Sequence, residues 1–503
     1  MYLVSFNTAS AGMAQGFVRR AVFAAGVIIA IGFAIRIYAS IHSMGIVHAD
    51  EHQQYMEQAN RISYGYGQTY WEQERGMRNY VYPGALAGCL FALEACGLSD
   101  PIAQAAAIRF VLSSFNYVVL IAVAWRYYRT GNRVAAAAFL VWVSVSPVMI
   151  FLSVRTLSET AVIAPFFLAL LFLARRPATA GILFGICIAV RFQTAILIVP
   201  VFSLLFGECI LSAESDRQKK MGWLLAGFAM AMLAIGGLDR LTLGSWFHSP
   251  VEYFRANILE NKSADYGVEP WDYYFELIEA VFLTFTFVGT CLLVGSISDW
   301  RLAIVSVVFL TVHSAIGHKE DRFLWCLVPM AYLLAANGLQ IVCRLLEGRT
   351  CCAIVMGLAA CGAIWGEFVE FPQLQWNSEP FRSSALALTD IGRRPDVTGV
   401  AILGASRSSC GNQFYLRRQI QLAFKDDYEP ARQFLANNQS VNYLVAYSEL
   451  SSDFNEWRPE RVGSVAKAFV YRLSRAFPTQ IPARIDQQKS SGNQQESPTQ
   501  SPP

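Results

Sequence analysis

Charge is what this sequence has least of. Of its 503 residues, Lys, Arg, Asp and Glu together supply 15%, against 54% hydrophobic residues, and the net charge is only +3. A soluble globular chain carries about a quarter charged residues, so this balance excludes an ordinary soluble fold. So small a net charge also gives no reason to expect a nucleic-acid partner. The cysteines lie mostly inside apolar runs (Cys187, Cys291, Cys326, Cys361), where they act as small buried hydrophobes, and only Cys410 belongs to a polar segment. A disulfide framework is therefore absent. Also missing are an internal repeat and a convincing cleavage site after the first apolar run, so that run, preceded by Arg19 and Arg20, is expected to be a retained anchor.

What the chain has instead is long apolar windows of the length a bilayer requires, roughly 17–25 residues. They fall near 21–41, 81–97, 109–127, 134–152, 157–174, 178–192, 194–211, 222–238, 274–296, 301–317, 323–343 and 351–367. The expected class is a polytopic α-helical membrane protein with about ten to twelve spans. Basic clusters at Arg126/Arg129/Arg133, Arg175/Arg176, Arg217/Lys219/Lys220 and Arg344/Arg349 mark inner loops. Residues 239–273, 317–322 and everything after 368 then fall outside, but counting back to the N-terminus disagrees by one crossing with an outside place for 42–80. Either 81–97 or 178–192 fails to span, or one basic loop is misplaced.

Three zones follow: a membrane body at 1–370, a soluble α/β segment at 371–478 on the outer face, and a disordered tail at 479–503 rich in Gln, Ser and Pro. In the second zone SSALALTDIGRR and EPARQFLANN read as helices, with Asp427 a cap for the latter, while VTGVAILGAS, VNYLVAYSEL and AFVYRLS read as strands.

Chemistry concentrates at the ends of spans. The loop 42–80 carries His48-Ala-Asp50-Glu51-His52-Gln53-Gln54-Tyr55, and 317–323 reads Gly-His318-Lys319-Glu320-Asp321-Arg322-Phe. Ionisable residues at a membrane boundary are costly and prompt a functional reading. Asp50, Gln54 and Gln58 recur at i, i+4 and i+8, one face of a regular helix, with Asp50 in the first turn. Two roles stand open for Asp50: helix cap, or general base toward a hydroxyl. Lys319 and Arg322 suit phosphate oxygens or, equally, pairing with Glu320 or Asp321. Arg155 and Arg191, in apolar surroundings, face the same choice between phosphate and structural pairing. His48, His52 and His318 beside Asp50 and Glu51 invite a divalent-metal reading, but no metal or other cofactor is expected. The long loops 42–80 and 239–273 mix aromatic rings with carboxylates and amides, as sugar recognition requires; an interfacial aromatic belt would account for about half of these residues but not for the interleaved carboxylates.

Four blocks in order along 40–330 carry a resemblance: HADEHQQY with GQTYWEQERGMRNYVYP, VRTLSET, LDRLTLGSWFHSPVEYFRANILENKSADYGVEPWDYYF, and HKEDRFL. Together they resemble the dolichyl-phosphate-mannose-dependent α-mannosyltransferases, membrane enzymes of the GT-C fold. Within that family the Asp-Arg opening of the third block is most similar to the enzymes adding the third mannose of glycosylphosphatidylinositol anchors. Ala49 stands where the family more often has Pro, and Asp321 and Trp325 are not typical after its signature, so a bacterial member also fits.

The resemblance implies an inverting mannosyl transfer from a polyprenyl- or dolichyl-phosphate carrier to a lipid-linked glycan on the lumenal or periplasmic face. The membrane is that of the endoplasmic reticulum in a eukaryote, or the inner membrane in a bacterium. It implies a catalytic role for Asp50 and Glu51, and donor-phosphate binding by Lys319, Arg322, His318 and Glu320. His48, Arg78, Tyr82, Arg155, Asp239, Arg240, Tyr266 and Trp271 would contact substrate. Rival expectations are a GT-C transferase of another hexose or onto protein, and a lipid-saccharide transporter.

Overall fold

The computed structural model describes residues 8–212, 214–278, 286–346, 357 and 376–474. The expected tail at 479–503 and most of the window 351–367 lie outside them. Among the described residues, five helices are long and apolar enough to cross a membrane: Val22–His42, Pro101–Arg129, Phe192–Ser212, Ser215–Thr242 and Asp321–Leu345. Two bent pairs, Arg133–Val145 with Pro147–Ser153 and Phe287–Ser298 with Trp300–Ala315, raise the number to seven. Shorter apolar helices run over Val81–Ala95, Ser158–Phe172 and Pro177–Val190.

The mismatch of one crossing has a structural origin. Glu94, at the end of the helix Val81–Ala95, accepts a hydrogen bond from Tyr64 of the first long loop at 2.6 Å. Just beyond it, Asp100 pairs with Arg393 and Gln104 bonds Arg417, both from the C-terminal segment. Both ends of Val81–Ala95 thus lie on one face, and the apolar run 81–97 does not traverse the body. The basic turns gather at the other end, where Arg344 donates to Asn132 (3.2 Å) and Arg301 pairs with Glu208 (2.7 Å).

Inside the helical body, polar groups find backbone partners, as a water-poor interior demands. Arg36 is fully buried; it donates to the carbonyls of Val143 (2.6 Å), Gly32 (3.1 Å) and Ser144 (3.3 Å), with its guanidinium 4.0 Å from the centre of the Tyr117 ring. The helices Phe287–Ser298 and Asp321–Leu345 touch backbone to backbone at two points. A Cβ on Gly338 would lie 1.8 Å from the Cys291 carbonyl oxygen, and one on Gly295 would lie 1.7 Å from that of Leu334. Small residues at such crossings are how membrane helices approach closely. Gly338→Ala is expected to lower stability by about 3 kcal/mol, because the neighbour is backbone and cannot yield. Thermal unfolding in detergent measures this, and a melting point equal to wild type would contradict it.

The C-terminal segment builds a sheet of five strands: β1 (Gly399–Leu403), β2 (Gln421–Lys425), β3 (Tyr443–Ala446), β4 (Pro459–Val465) and β5 (Ala468–Leu473). Their order is β2-β1-β3-β5-β4, parallel across the first three and antiparallel across the rest. All residues of β1 and β3 are buried, as central strands covered on both faces should be. The expected strands contain β1, β3 and β5, and the two edge strands, polar and half-exposed, were not anticipated. Helix Tyr428–Asn437 follows Asp427, whose side chain makes no capping bond.

Candidate active site

The first long loop leaves its helix at His42 and is tied at once to the C-terminal segment. Gly45 N–H donates to the Trp376 carbonyl (2.8 Å), Met44 N–H to Asn377 Oδ1 (3.1 Å) and Ile46 N–H to Ser378 Oγ (2.8 Å). A second tie joins this loop to the 239–273 loop, where Arg75 bonds Glu260 at 2.6 Å and Glu252 at 3.2 Å. Between these loops, the 317–323 turn and the helix starting at Phe192 lies a cavity of about 960 Å³.

At its wall sits Asp50. The residue occupies the cap position of a π-helical turn, Glu51–Met56, yet its side chain makes no capping bond. The wider turn also breaks the i, i+4, i+8 face expected from a regular helix. Instead Asp50 Oδ2 accepts from Arg322 Nη1 at 2.8 Å, and Oδ1 lies 3.3 Å from His48 Nδ1. Arg322 is held further by Glu320, through Nε at 2.5 Å and Nη2 at 3.0 Å, and by Glu159 at 3.4 Å. His318 completes the group, with Nε2 2.9 Å from Glu320 Oε1 and Nδ1 2.9 Å from the Gly267 carbonyl. Two acceptors on one imidazole require two N–H groups, so His318 is protonated here.

Burial alone would raise the Asp50 pKa, but Arg322 and the His48 hydrogen bond outweigh it and hold the carboxyl well below the usual range. Glu320 behaves likewise: burial opposes ionisation, while His318 and Arg322 bring it down to about 2. His318 is raised, chiefly by its bond to Glu320. His48 is raised despite burial, by Asp50. Asp50 is therefore an ionised carboxylate at any physiological pH.

The structure brings His48, Asp50, Arg78, Tyr266, His318, Glu320 and Arg322 to this cavity. Arg78 is clamped by Glu72 (2.9 and 3.3 Å), and Tyr266 stacks on Trp71. The other expected residues lie elsewhere. Glu51 is buried, accepts from Val47 N–H at 2.7 Å and faces Arg155 at 3.9 Å. Arg155 itself donates to the Gly45 carbonyl (2.6 Å) and to Ser43. Tyr82 donates to the Thr156 carbonyl (3.1 Å), and Asp239 accepts from Ser249 N–H (2.9 Å) and Oγ (2.6 Å), joining two helices. Arg240 donates to the Gly244 carbonyl at 2.7 Å, and Trp271 packs edge-on against Phe275 in the open. Lys319 is buried off the cavity wall, its ammonium bound to the carbonyls of Ile316 (2.6 Å), Glu269 (2.8 Å) and Gly317 (3.5 Å). Apart from Trp271, these residues shape the loops that carry the site.

His48 and His52 stand four apart but diverge. His52 hydrogen-bonds Asn412 and lies 3.9 Å from Glu57, whose carboxylate accepts from Gln68 N–H (2.8 Å) and Phe414 N–H (3.0 Å). Burial pushes His52 down to about 4 and Glu57 up to about 7, so this contact joins loop to C-terminal segment without being an ion pair at neutral pH. Among the described residues no cluster of three His, Cys, Asp or Glu is placed to hold a metal ion. Glu159 escaped sequence reading. It lies in VRTLSET, four residues beyond Arg155, and pairs with both Arg191 (2.8 Å) and Arg322 (3.4 Å); an acid beside an apolar run was the available signal.

Residues 27–365 match the model of the Alg9-like mannosyltransferase family. The chain belongs to that family. The match spans the loops bearing Asp50 and Arg322 and ends before the C-terminal segment, which adds Ser378, Glu379, Ser408 and Ser409 to the cavity wall. Among curated relatives of this Alg9-like chain, mannosyltransferase APTG1 of Arabidopsis thaliana is 24% identical over 343 residues, 60% of this chain and 56% of that protein. GPI mannosyltransferase 3 of Drosophila melanogaster is 26% identical over 307 residues, 58% and 52% of the two chains. The chain thus spans about half the length of the curated relatives it matches. ArnT from Cupriavidus metallidurans, solved bound to undecaprenyl phosphate, superposes with a TM-score of 0.60 at 12% identity, over 93% of this chain and 100% of that one. The fold is that of the GT-C membrane glycosyltransferases, in a multi-pass membrane protein.

Proposed function

We propose that this chain transfers mannose, with inversion, from a polyprenyl-phosphate carrier to a lipid-linked glycan. The observation that carries the reading is the ionised Asp50 held at the cavity wall by Arg322 and His48 in a chain of this family. Asp50 takes the proton of an acceptor hydroxyl as that oxygen forms a bond to the anomeric carbon from one side. The bond from that carbon to the phosphate oxygen breaks on the other, and the polyprenyl phosphate leaves with the electron pair. A phosphate is a good leaving group, so no general acid is needed. Arg322 and the protonated His318, both oriented by Glu320, place positive charge where the leaving group gains negative charge. His48, Arg78 and Tyr266 meet sugar hydroxyls, Glu51, Tyr82, Arg155, Asp239 and Arg240 hold the surrounding elements in place, and Trp271 takes no part. The ArnT complex supports a lipid-phosphate carrier. The cavity lies at the end of the body opposite the basic turns, which favours an extracytoplasmic site: the lumen of the endoplasmic reticulum or the periplasm.

Membranes containing the chain, given polyprenyl-phosphate [14C]mannose and glycolipid acceptors, should yield a mannosylated lipid whose linkage is then determined. Labelled protein in place of labelled lipid would move the acceptor to the rival class, and no transfer of mannose would end the reading.

Lys319 we assign to the loop and not to the phosphate, because its three protons are directed at backbone carbonyls. Lys319→Met should destabilise the fold by about 2 kcal/mol, since those buried carbonyls lose a charged donor. Below its melting point the variant should keep the wild-type KM for the donor. A tenfold higher donor KM in a fully folded variant would return Lys319 to the phosphate.

A further inference from the structure

The cations around the cavity are not equally free. Arg322 is occupied by Asp50, Glu320 and Glu159, and Arg78 by both oxygens of Glu72. Arg191 is different. It stands in the break between the helices Pro177–Val190 and Phe192–Ser212, is 5% exposed, and lines the cavity. Among the described residues its hydrogen bonds and ion pairs run through Nη1, to Glu159 at 2.8 Å and Ser158 Oγ at 3.3 Å. Nε and Nη2 are buried without a hydrogen-bond partner among the described residues. Those two nitrogens form the side-on edge of the guanidinium, the fork that takes two oxygens of a phosphate at once. Leaving both unsatisfied is costly unless something docks there.

A second orphan lies beside it. His313 is 2% exposed and also lines the cavity. Its Nδ1 donates to the Phe309 carbonyl at 2.9 Å, so Nε2 of the neutral ring is an acceptor, suited to a hydroxyl and not to a phosphate oxygen, and it has no partner among the described residues. The Phe323 ring links the two, with its centre 5.2 Å from the Arg191 guanidinium and 6.2 Å from the His313 ring. Around them the cavity wall turns apolar, with Phe192, Ile196, Val312 and Ile316. Val312 is 37% exposed on the outer surface of its helix, so this strip reaches the surface that lipid would cover.

We propose that Arg191 holds the phosphate of the polyprenyl-phosphate donor through its open fork, and that the strip formed by Phe192, Ile196, Val312 and Ile316 carries its first isoprene units. The proposal rests on the lipid-phosphate reading above and deepens it. Glu159 then has a defined place: shared by Arg191 and Arg322, it links the phosphate site to the cation that holds Asp50. Arg191 is thus a binding residue for the donor, and Glu159 a positioning residue.

The test uses the full chain in lipid nanodiscs with undecaprenyl phosphate as probe and inorganic phosphate as a second arm. Arg191→Gln should weaken undecaprenyl phosphate about thirtyfold, the loss of two charge-assisted bonds, and Arg191→Lys should weaken it less because the charge stays while the fork goes. If Arg191→Gln fails to fold because Glu159 loses its nearer partner and keeps only Arg322 at 3.4 Å, Arg191→Gln with Glu159→Gln removes the excess buried charge and should show the same loss. Wild-type affinity in a folded Arg191 variant overturns the proposal, and inorganic phosphate competing as well as the lipid overturns the apolar strip. A wild-type chain that fails to bind undecaprenyl phosphate ends both this proposal and the lipid-phosphate reading. One that binds it through Arg191 but transfers no mannose leaves the phosphate site standing and removes only the sugar assignment.

Discussion

Asp50→Asn will lower kcat about a thousandfold and leave the donor KM within a few-fold of wild type. A positioned general base contributes about a hundred- to ten-thousandfold, and Asn keeps the shape of Asp while losing the charge that accepts the proton. The side chain stays in place because Arg322 Nη1, 2.8 Å away, still finds an oxygen to bond. Binding of the lipid phosphate does not pass through this carboxylate, so KM should be nearly silent. Rates from the reconstituted variant, with folding checked by melting temperature, decide the matter. A kcat within a few-fold of wild type would remove Asp50 as the base.

Arg322→Gln is expected to be as damaging and to do something Asp50→Asn does not. The guanidinium is the shared counter-charge of Asp50, Glu320 and Glu159. Breaking a buried pair by removing one partner costs about 3–5 kcal/mol, so the variant should melt well below wild type. What survives should carry an altered pH profile. In the wild type the Asp50 carboxyl is held low by Arg322 against burial. Without Arg322 burial dominates and the carboxyl rises. Below its raised pKa the base is protonated, so kcat/KM of the variant should fall on acidification where the wild-type profile is still flat. The sign for stability is the same: a depressed carboxyl stabilises the fold above the ordinary carboxylate range, and that contribution fades as pH falls. An acid limb identical in the two proteins would show that Arg322 does not set the ionisation of Asp50.

How much of this was legible beforehand follows the physics of each signal. Bilayer spans are written in composition, because hydrocarbon tolerates little else over some twenty residues. The helix Val81–Ala95 carries the same apolar signal without crossing, and only the contacts of Glu94, Asp100 and Gln104 with one face reveal it. Motif spacing marked Asp50 and the 317–323 turn. It could not divide labour within that turn, where Arg322 reaches 272 residues back to Asp50 while Lys319 turns onto carbonyls of its own loop and of Glu269. Nor could it foresee that a π-turn at Glu51–Met56 would separate His52 from His48.

By itself, then, the sequence determined the class of the protein, its membrane body and the two loops that hold the charged groups. Each of those is encoded locally, in hydropathy and in short blocks. Tertiary structure alone decided which cations are spent on carboxylates and which remain open. Pairing a charge in a poorly solvated site depends on what lies within about 4 Å in space. Arg191 and Arg322 read alike along the chain, yet Arg322 is filled by carboxylates while Arg191 presents an open fork to the cavity.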